Sequence, residues 1–197
     1  MKTASLSGSL RENVGKKDAD TLRKNGRVPG VLYGGEEQIH FHVDNIALEK
    51  LVYTPDAYRF DFEVNGKTYP TIIKDMQFHP VNDKIQHMDM LQLFDDKPVT
   101  VELPVRTSGN SIGVRNGGRL AISYRSLKVR GLPNDLPEAI VADITNLKIG
   151  DAARVKDLSI EGCEILAAEN AVVVDVKRTR AAMAAAAAAA EAEKGKK

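Results

Sequence analysis

The sequence contains one cysteine, Cys163, no tryptophan and few aromatic residues, which make up 5% of its 197 residues. A single cysteine excludes an intramolecular disulfide and a zinc site built from several cysteines. No segment resembles a signal peptide, and the alanine-rich run near the end is too weakly hydrophobic to span a membrane. We therefore expect a cytoplasmic protein in a reducing environment, with no membrane partner.

Motifs that would indicate catalysis are also missing from the sequence. There is no G-x-S-x-G, no H-E-x-x-H and no phosphate loop, because neither pair of adjacent glycines is followed by the lysine and helix start that such a loop needs. His40 and His42 share a strand face, but a zinc site needs at least a third ligand, and His79 and His87 would qualify only if folding brought them close. We expect no enzymatic function and no cofactor; a metal-dependent enzyme is the least supported alternative.

Charge is balanced overall but unevenly distributed along the chain. The net charge is +1, so composition alone gives no indication of a nucleic-acid partner. Residues 1–33, however, carry seven basic side chains against three acidic ones, a net charge of +4. A near-neutral protein with this asymmetry is able to present a basic patch on one surface.

The first half of the chain alternates between short strands and two short helices. We predict a strand over 2–10, a helix over about 19–25 capped by Asp18 and stopped by Gly26, and a break at Pro29-Gly30 before a strand over 31–33. A strand over 39–43 leads to Asp44, which is expected to cap a helix over about 45–53. Asn65-Gly66 predicts a hairpin, and a strand is predicted over 84–94.

The fold class that follows is mainly β with short helices. We predict a small N-terminal β-barrel over 1–95, an all-β C-terminal domain over 96–179 and an alanine- and lysine-rich low-complexity tail over 180–197. Regularly spaced turns around Gly109, Gly117 and Gly150 support the second β domain. The tail is expected to be mobile and partly helical, since alanine favours helix but offers no amphipathic face.

Two stretches, Arg11–Gly35 and Gln77–Asp89, together predict an RNA-binding surface. The first supplies cations around a loop and a short helix, and the second supplies polar side chains on a strand. Cations bind phosphate, whereas polar side chains recognise base edges and hydroxyl groups. His87 and Asp89 are two residues apart, so they lie on the same face of a strand. Two alternatives stay open: the basic segment is only a solvated surface, or His87 and Asp89 simply pair with each other.

These residues resemble the bacterial large-subunit ribosomal protein family that binds 5S rRNA, in its two-domain long form, the general stress protein CTC family. The resemblance spans residues 3–178. Its motifs are G-K-K (15–17), L-R-K-N-G-R-V-P-G-V-L-Y-G (22–34), Q-F-H-P (77–80), Q-H-M-D (86–89), G-V-R-N-G-G (113–118) and L-K-I-G-D (147–151). It departs from single-domain relatives at Ala19, Asp20 and Thr21, where those carry more basic or small polar residues; Asp20 is expected to be repelled by phosphate.

The resemblance implies a non-enzymatic constituent of the large ribosomal subunit, located on the cytoplasmic ribosome, whose N-terminal barrel binds the loop E region of 5S rRNA. The implied RNA-binding residues are Arg11, Lys16, Arg23, Tyr33, Gln77, His87 and Asp89. No protein-bound cofactor or metal is implied. The second domain is expected to contact neighbouring ribosomal proteins or 23S rRNA. The competing interpretation is a stress-linked chaperone or protein-interaction module that uses mainly the second domain.

Overall fold

The chain folds into two compact units. The computed structural model describes residues 1–35, 37–160, 162–180 and 182–183. One unit comprises Met1–Val101 and Gly131–Glu138, and the other comprises Glu102–Arg130 and the residues from Ala139 onward. The predicted domain limits at 95 and 179 stay predictions. The prediction of a partly helical tail falls, from residue 184 onward, outside the described residues.

Unit 1 is a six-stranded barrel with two short helices. Its elements are β1 (Lys2–Leu10), α1 (Lys16–Lys24), β2 (Arg27–Tyr33), β3 (Ile39–Asp44), α2 (Asn45–Val52), β4 (Tyr58–Val64), β5 (Lys67–Phe78) and β6 (Ile85–Gln92). The strands close in the order β1-β3-β2-β6-β5-β4, and the parallel pairing of β1 with β4 completes the ring. The predicted N-terminal β-barrel is confirmed.

Alternation of apolar and polar residues explains why these segments form strands around a core. In β4, Phe60, Phe62 and Val64 are buried, whereas Asp61 and Glu63 between them are more exposed. Phe62 packs against Phe41 of β3 with ring centroids 4.4 Å apart, in a tilted arrangement that aromatic pairs favour. The buried core residues are Leu6, Val28, Leu32, Phe41, Val43, Leu48, Phe60, Phe62, Val64, Ile85, Met88 and Met90.

Two local predictions are confirmed in this unit. Asn65 and Gly66 both have positive φ, 53° and 75°, which is the backbone geometry of a tight hairpin turn between β4 and β5. The Asp44 carboxylate accepts a hydrogen bond from the Ala47 backbone N–H at 3.2 Å, so it caps α2 as expected. Both features are encoded within a few residues, which is why the sequence alone indicates them.

The predicted start of α1 is wrong. The helix begins at Lys16, with Gly15 in the cap position, rather than after Asp18. Asp18 lies instead in the first helical turn, where its charge is favourable near the positive end of the helix dipole and where it pairs with Arg11. The predicted stop is confirmed, since Gly26 has φ +71° directly after the last turn.

The predicted interruption of secondary structure at Pro29-Gly30 is also wrong, because both residues lie inside β2. Pro29 pairs in register with His42, and Gly30 with Phe41 and Met88. Gly30 is needed for close packing rather than for a turn. A Cβ atom at this position would lie 2.7 Å from the Phe41 ring and 2.8 Å from the Met88 carbonyl oxygen. A glycine in a strand thus marks a site where the neighbouring strand and ring approach closely.

Unit 2 is a second β domain, as predicted. Its elements are β7 (Val99–Ser108), α3 (Ile112–Arg115), β8 (Arg119–Ile122), β9 (Ser126–Gly131), β10 (Ile140–Asp143), β11 (Ala152–Arg154), a 3₁₀ turn (Val155–Asp157), β12 (Cys163–Ile165) and β13 (Val172–Lys177). The first three residues of β7 and the last residue of β9 fall within unit 1. They form the sheets β10-β7-β9-β12 and β11-β13-β8. The sequence did not predict α3, a single turn capped by the Ser111 hydroxyl. Among the described helices, none is long and apolar enough to cross a membrane.

Candidate nucleic-acid interface

The outer face of β6 presents a polar pair to solvent. Met88 and Met90 are buried in the barrel, so the alternating residues His87 and Asp89 point away from the core. His87 Nδ1 lies 2.9 Å from Asp89 Oδ1, which confirms that the two side chains share a face. They do pair with each other. When Nδ1–H donates to the carboxylate, Nε2 of a neutral imidazole and the second carboxylate oxygen are still able to accept hydrogen bonds.

Strand β5 continues this face on one side of β6. Gln77 lies directly opposite His87, and Asp75 lies opposite Asp89. Register shifts occur between Ile73 and Asp75 and between Gln77 and Phe78, so bulges bracket the polar segment. Bulges redirect side chains and are common beside functional sites. Two carboxylates opposed across a strand pair are unfavourable for folding, which indicates that this arrangement serves something other than stability.

Strand β2 continues the face on the other side of β6 and contributes Tyr33. Val31 pairs with Asp89 and Tyr33 with Leu91, so the phenol lies near the carboxylate. Partial burial, followed by the charges of Asp89 and Asp75, raises the pKa of Tyr33 above its ordinary value. The phenol therefore keeps its proton at neutral pH and acts as a hydrogen-bond donor. Gln77, His87, Asp89 and Tyr33 together form what we call the barrel face.

Helix α1 packs on β2 beside the barrel face and is unusually exposed. None of its nine residues is fully buried, and its apolar residues Ala19 and Leu22 are only half-buried. Lys16 and Arg23 are seven residues apart and so share one side of the helix, about 10 Å apart along its axis. Lys16 is exposed at the first position of the helix. Such a helix is available to enter a groove in a partner.

The Arg11 side chain is buried beside Asp18, whereas a direct contact with RNA requires it to be exposed. This side chain is only 6% exposed, and its Nε and Nη2 atoms donate to Asp18 Oδ2 at 3.2 and 2.8 Å. Nη2 also approaches the Asn13 carbonyl oxygen at 3.4 Å. In this structure Arg11 ties the loop after β1 to the first turn of α1. Its direct contact with RNA stays a prediction.

Arg23 ties the other end of α1 to β6. Its Nε atom donates to the Gln86 carbonyl oxygen at 3.1 Å, one residue before His87. Its Nη1 atom pairs with Asp20 Oδ1 at 3.0 Å, so the carboxylate that departs from the family pattern has a cation beside it. The helix and the barrel face are thereby held next to each other, with Arg23 at their junction.

Two histidines near the barrel face, His40 and His42, are indicated by the sequence only as candidate metal ligands. His40 and His42 lie on the outer side of β3, paired in register with Val31 and Pro29 of β2. Burial first, then the charges of Arg27 and Arg11, lower the pKa of His42, and Arg27 Nη1 is 3.4 Å from His42 Nδ1. Placing His40 and His42 beside the barrel face requires the register between β2 and β3, which cannot be inferred from the sequence alone. The described residues contain no cluster of three or more metal-ligating side chains.

Comparison with known proteins decides the family. The Ribosomal L25p family pattern matches residues 6–90, which include all of the barrel face and α1, and the pattern of the ribosomal protein TL5 C-terminal domain matches residues 98–180. The chain belongs to the bL25 family. It is similar to the large ribosomal subunit protein bL25 of Phocaeicola vulgatus, with 46% identity over 92% of this chain and 96% of that protein.

Further bL25 relatives agree. The Bacteroides fragilis protein is 49% identical over 82% of both chains, and the Porphyromonas gingivalis protein is 43% identical over 92% of this chain and 96% of that one. This chain is thus a structural constituent of the large ribosomal subunit, located on the ribosome. The bL25 family is not one of enzymes, which removes the metal-dependent alternative.

Proposed function

We propose that this bL25 protein binds 5S rRNA, at its loop E region, through the barrel face and α1. The observation that carries the proposal is the contiguity of the two surfaces. Arg23 joins them by donating to the Gln86 carbonyl oxygen beside His87. A single RNA segment is therefore able to contact the cations of the helix and the polar groups of the strands at once.

The helix supplies binding to the RNA backbone. Lys16, Lys17 and Lys24 are exposed, and among the described residues none of the three forms an ion pair. Their ammonium groups are available to neutralise phosphates, which strengthens binding in a salt-dependent manner. Nine residues of helix are about 14 Å long, which suits insertion into one widened groove rather than tracking along a duplex.

The barrel face supplies recognition. Asp89 offers acceptors, Tyr33 offers a donor, the Gln77 amide offers both, and the His87 ring offers a donor or an acceptor according to its tautomer. A carboxylate beside phosphates is unfavourable unless it accepts a hydrogen bond from a base amino group or a ribose 2′-hydroxyl. Asp89 therefore favours a specific contact in the minor groove over a purely electrostatic one. Unit 2 would contact neighbouring ribosomal proteins or 23S rRNA.

Titration of the full chain with 5S rRNA at two salt concentrations tests the proposal. A perfectly paired hairpin of similar length serves as the control RNA. We expect tighter binding to 5S rRNA at both salt concentrations, because hydrogen bonds to bases and riboses do not depend on counterion release. Equal and strongly salt-sensitive binding to both RNAs would reduce the surface to a nonspecific basic patch and overturn the proposal.

A further inference from the structure

Unit 1 has a cleft beside the barrel face. Of the predicted RNA-binding residues, Arg23 alone lines it. It lies between the end of α1, the start of β2 and the loop that joins β5 to β6, and its volume is about 200 Å³. At about 30 Å³ for each water molecule, it has room for several waters or one small anionic group. Its lining includes Arg23, Arg27, His79, Asn82 and Lys84.

The charge of this cleft is of one sign. Arg23, Arg27 and Lys84 are cationic, and among the described residues no lining side chain carries a carboxylate, although Asp20, outside the lining, pairs with Arg23 at 3.0 Å. Lys84 is exposed and, within the described part of the chain, forms no ion pair. Arg27 Nη1 lies 3.4 Å from the His42 ring nitrogen Nδ1. Arg23 has Asp20 as a counterion, but Arg27 and Lys84 form no ion pair within the described part of the chain. Cations gathered in a concave site in this way raise the local concentration of anions.

Two further side chains of the cleft, His79 and Asn82, are arranged as donors. His79 Nδ1 accepts the Val81 backbone N–H at 3.2 Å, so the proton of a neutral ring lies on Nε2. Asn82 Oδ1 accepts the Lys84 backbone N–H at 3.3 Å, which leaves the Asn82 amide nitrogen to donate. Because these internal bonds occupy acceptor atoms, both side chains offer hydrogen-bond donors to whatever enters.

We propose that this cleft binds one phosphate group, and that the group belongs to the RNA backbone. A phosphate has several acceptor oxygens and a negative charge, which matches a site of cations and donors. The position supports an RNA source, since Arg23 lines the cleft and also donates to Gln86 next to the barrel face. RNA held on that face would continue past the end of α1 into the cleft. The assignment of the phosphate to RNA rests on the proposed function. The binding of a phosphate group by the cleft does not.

The test compares Lys84→Gln with Lys67→Gln in the full chain. Lys67 is an exposed lysine beside the β4–β5 hairpin turn, so its replacement removes the same charge outside the cleft. In the first arm, 5S rRNA binding is measured over a series of salt concentrations. Loss of one phosphate contact should flatten the slope of log K against log salt by about 0.7–0.9 for Lys84→Gln and leave it unchanged for Lys67→Gln. Arg27→Gln is a second cleft variant with the same expectation.

The second arm does not depend on RNA. Amide spectra of the protein are recorded with sodium phosphate and with sodium chloride at matched ionic strength, and shifts at Asn82 and Lys84 specific to phosphate should vanish in Arg27→Gln. A slope change supports the proposal with RNA as the source. Phosphate-specific shifts without a slope change support the chemistry but overturn the RNA source. No effect in either arm overturns the proposal. If wild-type protein fails to prefer 5S rRNA, the proposed function fails and the second arm alone decides the cleft.

Discussion

Replacing Phe62 with alanine is expected to lower the free energy of unfolding of unit 1 by about 3–5 kcal/mol. The Phe62 ring is fully buried, packs 4.4 Å from the Phe41 ring, and also fills the space over Gly8, where an added Cβ would lie 2.7 Å from it. A barrel closed on every side collapses poorly around a lost ring, so the cavity cost adds to the loss of apolar burial.

Tyrosine fluorescence during urea denaturation measures this effect. Four of the five tyrosines lie in unit 1 and only Tyr124 lies in unit 2, so the change in emission reports mainly on the barrel. Phe78→Ala is the matched control, because that ring is 43% exposed and should cost no more than about 1 kcal/mol. If the two variants unfold at the same urea concentration, Phe62 is not the centre of the core described above.

Replacing Asp89 with asparagine is expected to weaken 5S rRNA binding by about 1–3 kcal/mol, roughly a 5- to 150-fold rise in Kd. The direction of the change in affinity distinguishes a specific hydrogen bond from general electrostatics. Removing a negative charge beside RNA should tighten binding if electrostatics alone decided the affinity. Weaker binding is the result only if the carboxylate accepts a specific hydrogen bond, for which the amide is the poorer acceptor.

Glu63→Gln provides the control for that measurement. Glu63 is an exposed carboxylate on β4, and its replacement removes the same charge from a strand that does not contribute to the barrel face. We expect its Kd to be unchanged or slightly lower. An Asp89→Asn variant that binds 5S rRNA as tightly as Glu63→Gln, or more tightly than wild type, would contradict the role assigned to the barrel face.

Features encoded over a few residues were accessible from the sequence. Asn65-Gly66 selects a turn with positive φ, Asp44 precedes an apolar helical pattern, and the period-two alternation around His87 and Asp89 places both on one strand face. The fold class followed from many such short elements. Each of these depends on local backbone preferences, which tertiary contacts here do not override.

Features that depend on strand register or on distant partners were not accessible. The sequence predicts a break at Gly30, although the role of this glycine is to let Phe41 and Met88 approach. The sequence predicts that Asp18 caps the helix, whereas its side chain pairs with Arg11 in the preceding loop. The burial of Arg11 and the charge of the cleft around Lys84 exist only after the barrel closes. Spacing along the chain does not contain this information.

Hydrogen exchange of the full chain, with and without 5S rRNA, tests the central claim most directly. Helix α1 has no fully buried residue, so its amides should exchange rapidly in the free protein. The account predicts that 5S rRNA slows exchange in α1 and in the β5–β6 loop, while the strands of unit 2 keep their free rates. Unchanged exchange in α1, together with slowed exchange in β8 or β13, would contradict it and would place RNA binding on the second unit.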